Sequence, residues 1–211
     1  MTGMAGLLDI AVLVFDDVEV LDFAGPFEVF STAARLARPQ AGAVPMPGPV
    51  RTIATRPGVV VARGGLRVTP DEVIGGGARP DVLMVPGGVV DAELGRRELI
   101  DWLRRQADAG ALVGAVCTGA FLLAEAGLLD GRRATTHWED AGQLRARYPR
   151  IEVCEGVRYV DAGQVLTSAG IAAGIDLSLH LVRRLFGGEL ATRTARQMDY
   201  PWTAGTDEVR P

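Results

Sequence analysis

The 211-residue sequence is poor in the features that mark secreted, membrane and nucleic-acid-binding proteins. Two cysteines are too few for the disulfide framework of a small secreted domain. No apolar run approaches the roughly 18 residues that cross a bilayer, and the first residues lack the charge and length of a secretory signal. Basic residues number 22 against 26 acidic ones, and no stretch concentrates them. We therefore expect a cytoplasmic protein that binds neither membranes nor nucleic acid directly, with both cysteines as free thiols.

The apolar content is sufficient for one large core. Hydrophobic residues make up 48% of the chain. A chain of this length and composition predicts one domain over residues 1–211, with an ordered core from about 8 to 200 and flexible ends. The proline-rich segment 38–50 is predicted as a surface loop rather than a linker, because neither flank could fold alone.

Buried apolar runs alternate with helical patterns along the chain. The predicted strands are 9–17, 50–55, 59–70, 80–88, 111–116, 131–138 and a hairpin within 157–168. The predicted helices are 26–37 with Pro26 at its first position, 98–109, 118–126, 138–148, 171–186 and 190–198. This alternation predicts an α/β fold whose mainly parallel sheet has helices on both faces.

Reactive residues follow three of the predicted strands. Asp22 comes shortly after the first strand, Gly87 and Gly88 follow the strand at 80–88, and Cys117 follows the strand at 111–116. Ligands of such sheets bind beyond the carboxyl ends of the strands. We therefore expect these residues to meet at one site.

Cys117 lies in the pattern of a nucleophile elbow. In the segment AVCTG at 115–119, small neighbours allow a tight turn between strand and helix that leaves the central side chain exposed. A thiol at a helix N-terminus is expected to have a lowered pKa, and the Thr118 amide points where an anion is stabilised. The alternative is a small core residue, which is the commonest role of a free cysteine.

Five spaced motifs resemble those of the isonitrile hydratases, a branch of the ThiJ/PfpI superfamily. They are DFAGP at 22–26, PGG at 86–88, VCTG at 116–119, ATTHW at 134–138 and AGID at 173–176. The resemblance covers nearly the whole chain and implies a flavodoxin-like fold. Several motifs recur in the ligand-like domains fused to AraC-type regulators.

The resemblance implies that Cys117 is the nucleophile and Asp22 its acid-base partner. Two neighbouring anions are unfavourable, so the pair is expected to share a proton. Sulfur would attack the isonitrile carbon, and water would release an N-substituted formamide without metal or cofactor. Thr118, Gly88 and Gly87 are expected to orient substrate or water. The competing role for Asp22 is that of a helix cap.

Two further residues of the motifs are assigned to the neighbourhood of the substrate. His137 is expected to be a hydrogen-bonded wall of the pocket beside Trp138, with a direct base role as the alternative. Asp176 is expected to support the site or cap its helix rather than take part in catalysis. Cys154 is expected to be inert, and His180 to be structural.

Three rival functions stay open. Peptidases of the superfamily carry histidine directly after the cysteine, where this chain has Thr118. Glyoxalases and deglycases carry glutamate where this chain has Asp22. A small-molecule or redox sensor is the third rival, although the residues after Met198 are too few for a helix-turn-helix pair. The superfamily and the short apolar connections near the sheet edge also predict a homodimer.

Overall fold

The computed structural model describes residues 6–37, 45–77 and 79–202. In this part of the chain the strands are β1 (Leu7–Val14), β2 (Met46–Ala54), β3 (Val60–Val61), β4 (Arg67–Val68), β5 (Glu72–Val73), β6 (Val82–Val85), β7 (Leu112–Val116), β8 (Arg133–Ala134), β9 (Glu152–Val153), β10 (Tyr159–Asp161) and β11 (Val165–Ser168). The α-helices are α1 (Val20–Leu36), α2 (Asp91–Leu94), α3 (Arg97–Asp108), α4 (Gly119–Glu125), α5 (Ala141–Arg147), α6 (Ala173–Phe186) and α7 (Gly188–Gln197). The flexible ends expected from the sequence fall largely on residues 1–5 and 203–211, which lie outside the described part.

The central sheet confirms the predicted α/β fold. Its seven strands run in the order β10-β11-β7-β6-β1-β2-β5, and every neighbouring pair is parallel except the β10–β11 hairpin. Helices α1, α6 and α7 contact one another, as do α3 and α4, so two groups of helices flank the sheet. Strands β1, β6 and β7 are central and almost wholly buried, which explains their continuous apolar sequences.

Helix α1 begins six residues before the predicted start. Val20 is its first residue, and Pro26 lies inside the helix rather than at its first position. Proline there removes the amide that would bond to the Asp22 carbonyl. Phe23 and Gly25 are buried, so packing of this first part of the helix outweighs the local preference of proline for a helix start.

The predicted loop at 38–50 is wrong from Met46 onwards. Residues 38–44 lie outside the described part, but 46–50 belong to β2. Here β2 pairs with β1 alone, because β5 joins it only at Ile53 and Ala54. Proline has no amide hydrogen to donate to a neighbouring strand. On the open side of β2 there is no strand to accept such a hydrogen bond, so prolines are tolerated there.

A partly buried polar cluster ties the hairpin to α6. The His180 Nε2 atom lies 2.7 Å from an oxygen of Asp161, and Tyr159 Oη lies 3.3 Å from His180 Nδ1. Arg184 donates to the same carboxylate at 3.1 Å. Burial alone would raise the pKa of Asp161, but hydrogen bonds from His180 and from the Gly163 amide, with the charge of Arg184, lower it. These contacts support the structural role expected for His180.

We expect Asp161→Asn to lower the free energy of unfolding by about 1–3 kcal/mol at pH 7. The substitution removes the negative charge of the carboxylate that contacts His180 and Arg184. Since the folded pKa is lowered, the stabilisation is present above the unfolded pKa and is lost as pH falls through the folded value. Urea unfolding between pH 7 and 3 measures both effects. The exposed Asp108→Asn is the control and should change stability by less than about 0.5 kcal/mol. A wild-type advantage that does not shrink as the pH falls would contradict the account.

Candidate active site

The site lies where the central strands end. Strands β1, β6 and β7 are adjacent and parallel, so the connections that follow them meet at one edge of the sheet. Asp22 lies in the first turn of α1 after β1, Gly87 follows β6, and Cys117 follows β7 directly. The residues that the sequence predicts to converge are therefore on neighbouring connections.

Cys117 has the backbone of a nucleophile elbow. Its φ angle is +57°, in the left-handed region that non-glycine residues seldom adopt. Three hydrogen bonds hold this turn. The Cys117 amide donates to the Ser168 carbonyl at 3.1 Å, and its carbonyl accepts from the Thr136 hydroxyl at 2.9 Å and the Ala120 amide at 3.2 Å. The surrounding structure therefore stabilises an otherwise costly conformation.

Glycine is required on both sides of the elbow. A Cβ atom at Gly119 would lie 2.2 Å from the Val85 carbonyl oxygen, so α4 can start against β6 only without a side chain. A Cβ atom at Gly87 would lie 2.5 Å from Thr118 Oγ1 and 3.0 Å from Asp22 Oδ2. The backbone of Gly87 thus fills the space between the elbow and the carboxyl group.

Asp22 is fully buried and faces the thiol. Burial raises its pKa to about 7, against the lowering effects of hydrogen bonds from the Gly87 amide, the Cys117 thiol and the Ile171 amide. The Gly87 amide lies 3.1 Å from Oδ2. Because Asp22 is the third residue of α1 and its carboxyl group bonds to another segment, the helix-cap alternative is wrong.

The expected lowering of the Cys117 pKa is wrong. Burial and the charge of Asp22 raise the pKa of this thiol to about 12, although the Thr118 amide acts in the opposite direction. Helix α4 has only seven residues, and its first turn does not offset the loss of water around the sulfur. The pair therefore holds one proton over a wide pH range, with the thiol protonated and the carboxyl group changing state near neutrality.

Two of the expected substrate donors bond to each other instead. The Gly88 amide donates to Thr118 Oγ1 at 2.9 Å, and the Thr118 hydroxyl donates to the Gly88 carbonyl at 2.9 Å. The Gly87 amide is bonded to Asp22. These groups position the elbow and the carboxyl group, and the Thr118 amide is the donor directed at sulfur.

His137 follows Thr136, whose hydroxyl bonds to the elbow, and lies between β8 and a short helix. Its Nδ1 atom accepts from the Glu139 amide at 3.4 Å at the start of a short 3-10 helix, Trp138–Asp140. A Cβ atom at Gly170 would lie 2.0 Å from His137 Cδ2, so the ring packs against the backbone that leads to α6. The wall role and the base role of His137 both stay predictions.

Asp176 supports α6 through an ion pair. Its Oδ2 atom accepts from Arg158 Nε at 2.8 Å, from Arg158 Nη2 and from the Tyr200 hydroxyl at 3.1 Å. These contacts join α6 to the residue before β10 and to the segment after α7. A role for Asp176 at the site stays a prediction. Cys154 follows β9 directly, and its amide donates to the Ala134 carbonyl at 2.8 Å.

Three residues at the site escaped the sequence analysis as functional groups. The Thr136 hydroxyl and the Ser168 carbonyl hold the elbow, and the Ile171 amide faces Asp22. Ile171 has a φ angle of +51°, which is rare for a β-branched residue. Thr136 belongs to a recognised motif, but a hydrogen bond to a backbone carbonyl leaves no mark in the sequence.

Metal binding and membrane insertion have no visible support in the described ranges. They contain no group of three or more His, Cys, Asp or Glu side chains arranged to hold a metal ion. None of their helices is long and apolar enough to cross a bilayer.

The family assignment follows from comparison with known proteins. The model of the DJ-1/PfpI family matches residues 9–184. The chain belongs to the DJ-1/PfpI family. The match confirms the ThiJ/PfpI resemblance and the flavodoxin-like fold. A ThiJ/PfpI family protein from Pseudomonas syringae superposes with a TM-score of 0.80 at 28% identity, covering 98% of this chain and 82% of that one.

Relatives of this chain fall into two classes. The isonitrile hydratase of Pseudomonas putida is 32% identical over 209 residues, which make up 97% of this chain and 85% of that protein. The HTH-type transcriptional regulator CdhR of Pseudomonas aeruginosa is 38% identical over 140 residues, 66% of this chain. The chain spans about two fifths of the length of that regulator, since the match covers 41% of it.

We expect Gly119→Ala to lower the free energy of unfolding by about 2 kcal/mol or more, because its Cβ atom would overlap a backbone oxygen of β6. Gly142→Ala in α5 is the matched control. No atom lies within 4 Å of its Cβ position, so it should be neutral or stabilise by up to about 1 kcal/mol. Urea unfolding compares the two variants, and equal changes would contradict the packing argument.

We expect Asp22→Asn to lower the pKa of Cys117, because the carboxylate is charged throughout the titration of the thiol. The pKa should stay above the ordinary value of a thiol, since burial is unchanged. In a Cys154→Ser background, the alkylation rate of Cys117 with iodoacetamide is measured against pH. Glu189→Gln, an exposed acid at the start of α7, is the control. Overlapping profiles for all three proteins would refute the proposed coupling.

Proposed function

We propose that the protein is a cysteine-dependent hydratase that adds water to an isonitrile and releases an N-substituted formamide. The observation that carries this proposal is the buried pair of Cys117 and Asp22, which shares a proton at a nucleophile elbow. The isonitrile hydratase of Pseudomonas putida aligns with 97% of the chain, which supports the assignment.

The first step joins sulfur to the isonitrile carbon. The isonitrile carbon forms both new bonds, one to the nucleophile and one to a proton. Asp22 takes the proton of the Cys117 thiol as the carbon–sulfur bond forms, and delivers it to the carbon. The product is a thioimidate, and the carboxyl group is left ionised. A high thiol pKa suits this step, because the proton leaves sulfur only as the new bond forms.

The second step uses the ionised carboxyl group as a base. Asp22 takes a proton from water, whose oxygen adds to the thioimidate carbon, and passes that proton to the nitrogen. The carbon–sulfur bond then breaks, and the hydroxyl proton returns to sulfur. One water is consumed, one formamide is released, and the pair recovers its single proton.

Asp22 has the pKa that both roles need. A group titrating near 7 gives and accepts protons at neutral pH with little cost. Gly87 and Thr118 act as positioning residues, since their polar groups are bonded to Asp22, to Gly88 and toward the sulfur. We propose that the Thr118 amide also orients the reacting molecule.

We expect purified protein to produce formamide from methyl and benzyl isonitrile, with kcat/KM rising with pH around an apparent pKa of about 7. The sign follows from the mechanism, because the active form has an ionised Asp22 and a protonated thiol. Cys117→Ala should abolish turnover and Asp22→Asn should reduce it by about 10² or more. Cys154→Ala is the matched control and should keep wild-type rates. Equal activity of the two cysteine variants would refute the assignment of the nucleophile.

A specific observation favours a second candidate, a small-molecule or redox sensor. CdhR shares 38% identity with this chain, more than the hydratase does over its longer alignment. Absence of formamide from both isonitriles, with saturable binding of benzyl isonitrile, would favour the sensor over the hydratase. Methylglyoxal is assayed in parallel, because glyoxalase or deglycase activity is the third possibility. The homodimer and the cytoplasmic location stay predictions.

A further inference from the structure

Three large apolar side chains are exposed around the elbow. Trp138 is 76% exposed, Ile171 40% and Leu21 37%. They belong to three separate segments, namely the short helix after β8, the connection before α6 and the first turn of α1. Isolated exposed apolar residues are common, but a tryptophan this exposed is informative two residues after Thr136, whose hydroxyl bonds to the elbow.

A series of contacts leads from Trp138 toward the carboxyl group of the site. The rings of Trp138 and His137 lie 5.7 Å apart. His137 packs on Gly170, and the next residue, Ile171, directs its amide to Asp22. The segments that carry Trp138 and Ile171 therefore pack against each other through His137 and Gly170.

Leu21 joins the same surface from the other side. A methyl group at Gly25 would lie 3.1 Å from Ile175 Cγ1 and 3.9 Å from Leu21 Cδ1. Ile175 lies in the first turn of α6, four residues after Ile171, which precedes that helix. We call Trp138, Ile171 and Leu21 the apolar rim.

We propose that the apolar rim receives the hydrocarbon substituent of the molecule that reacts at Cys117, with Trp138 as the residue that determines specificity. This inference rests on the proposed function for the identity of the reacting group. A reacting carbon at sulfur leaves its substituent pointing out of the buried elbow, where these side chains lie. Isonitriles with ring-sized apolar substituents should therefore react more efficiently than methyl isonitrile.

The size of the rim favours a small molecule over a second copy of the chain. A large apolar side chain contributes about 150–250 Å² at most, and these three are partly covered. A standard protein interface buries about 800 Å² on each partner. The rim alone falls short of that area, but it is comparable to the surface of one aromatic ring and its linker.

The test compares large and small substituents on the same variants. We expect Trp138→Ala to lower kcat/KM for benzyl isonitrile about tenfold and to change that for methyl isonitrile by less than twofold. Trp138→Phe should keep most of the wild-type kcat/KM for benzyl isonitrile, because an aromatic ring is still present. Leu7→Ala is the control, since Leu7 is 61% exposed at the opposite end of β1. An equal loss for both substrates, or no loss for either, would overturn the proposal.

A second readout separates this inference from the hydratase proposal. In a Cys154→Ser background, intact-mass measurements follow modification of Cys117 by N-phenylmaleimide and N-methylmaleimide. Trp138→Ala should reduce the phenyl-to-methyl rate ratio several-fold, whether or not the protein hydrates isonitriles. An unchanged rate ratio would contradict the proposal for the apolar rim. So would an effect of Trp138→Ala that sedimentation attributes to a change in oligomeric state. A reduced ratio without any isonitrile turnover would sustain the rim and reject the hydratase.

Discussion

The arrangement of the site depends on one hydrogen bond, from the Gly87 amide to the buried carboxyl group of Asp22. The Gly87 carbonyl in turn accepts from the Glu19 amide at 2.9 Å, so both polar groups of this peptide segment hold the start of α1. A side chain at position 87 would collide with Thr118 and Asp22. The acid and the nucleophile can therefore come together only because a bare backbone lies between their two segments.

The electrostatics of the pair follow from this close packing. Water is excluded from both groups, so neither ionises at its ordinary pH. A thiol with a high pKa is a poor target for stray electrophiles and oxidants, because the thiolate is the reactive form. Reaction then requires a molecule that accepts both the sulfur and the proton. Selectivity is thus a property of the coupled pair, and an isolated low-pKa cysteine would lack it.

The sequence was sufficient for the alternation of central strands and helices and for the convergence of the main residues. It did not predict β5 or α2, and the predicted strand at 59–70 is the pair β3 and β4. Parallel strands place their carboxyl ends together, so Asp22, Gly87 and Cys117 could be assigned to one edge from apolar runs alone. The start of α1 and the Pro-rich part of β2 could not, because burial and an open strand edge outweighed the local signals of proline. The pKa of Cys117 was mispredicted in sign, since helix position is visible in a sequence while desolvation is not.

The elbow alone does not decide between catalysis and sensing. The regulator CdhR and the isonitrile hydratase both align with this chain, so a similar frame occurs in proteins with different names. Catalysis adds a requirement that binding lacks, because water must reach the carbon held by sulfur while Asp22 is free to activate it. The group that orients Asp22 is the backbone amide of Gly87, which is not part of any side chain. Divergence between the two classes is therefore expected in the side chains around the opening, where the apolar rim controls how a substituent and a water molecule share the space.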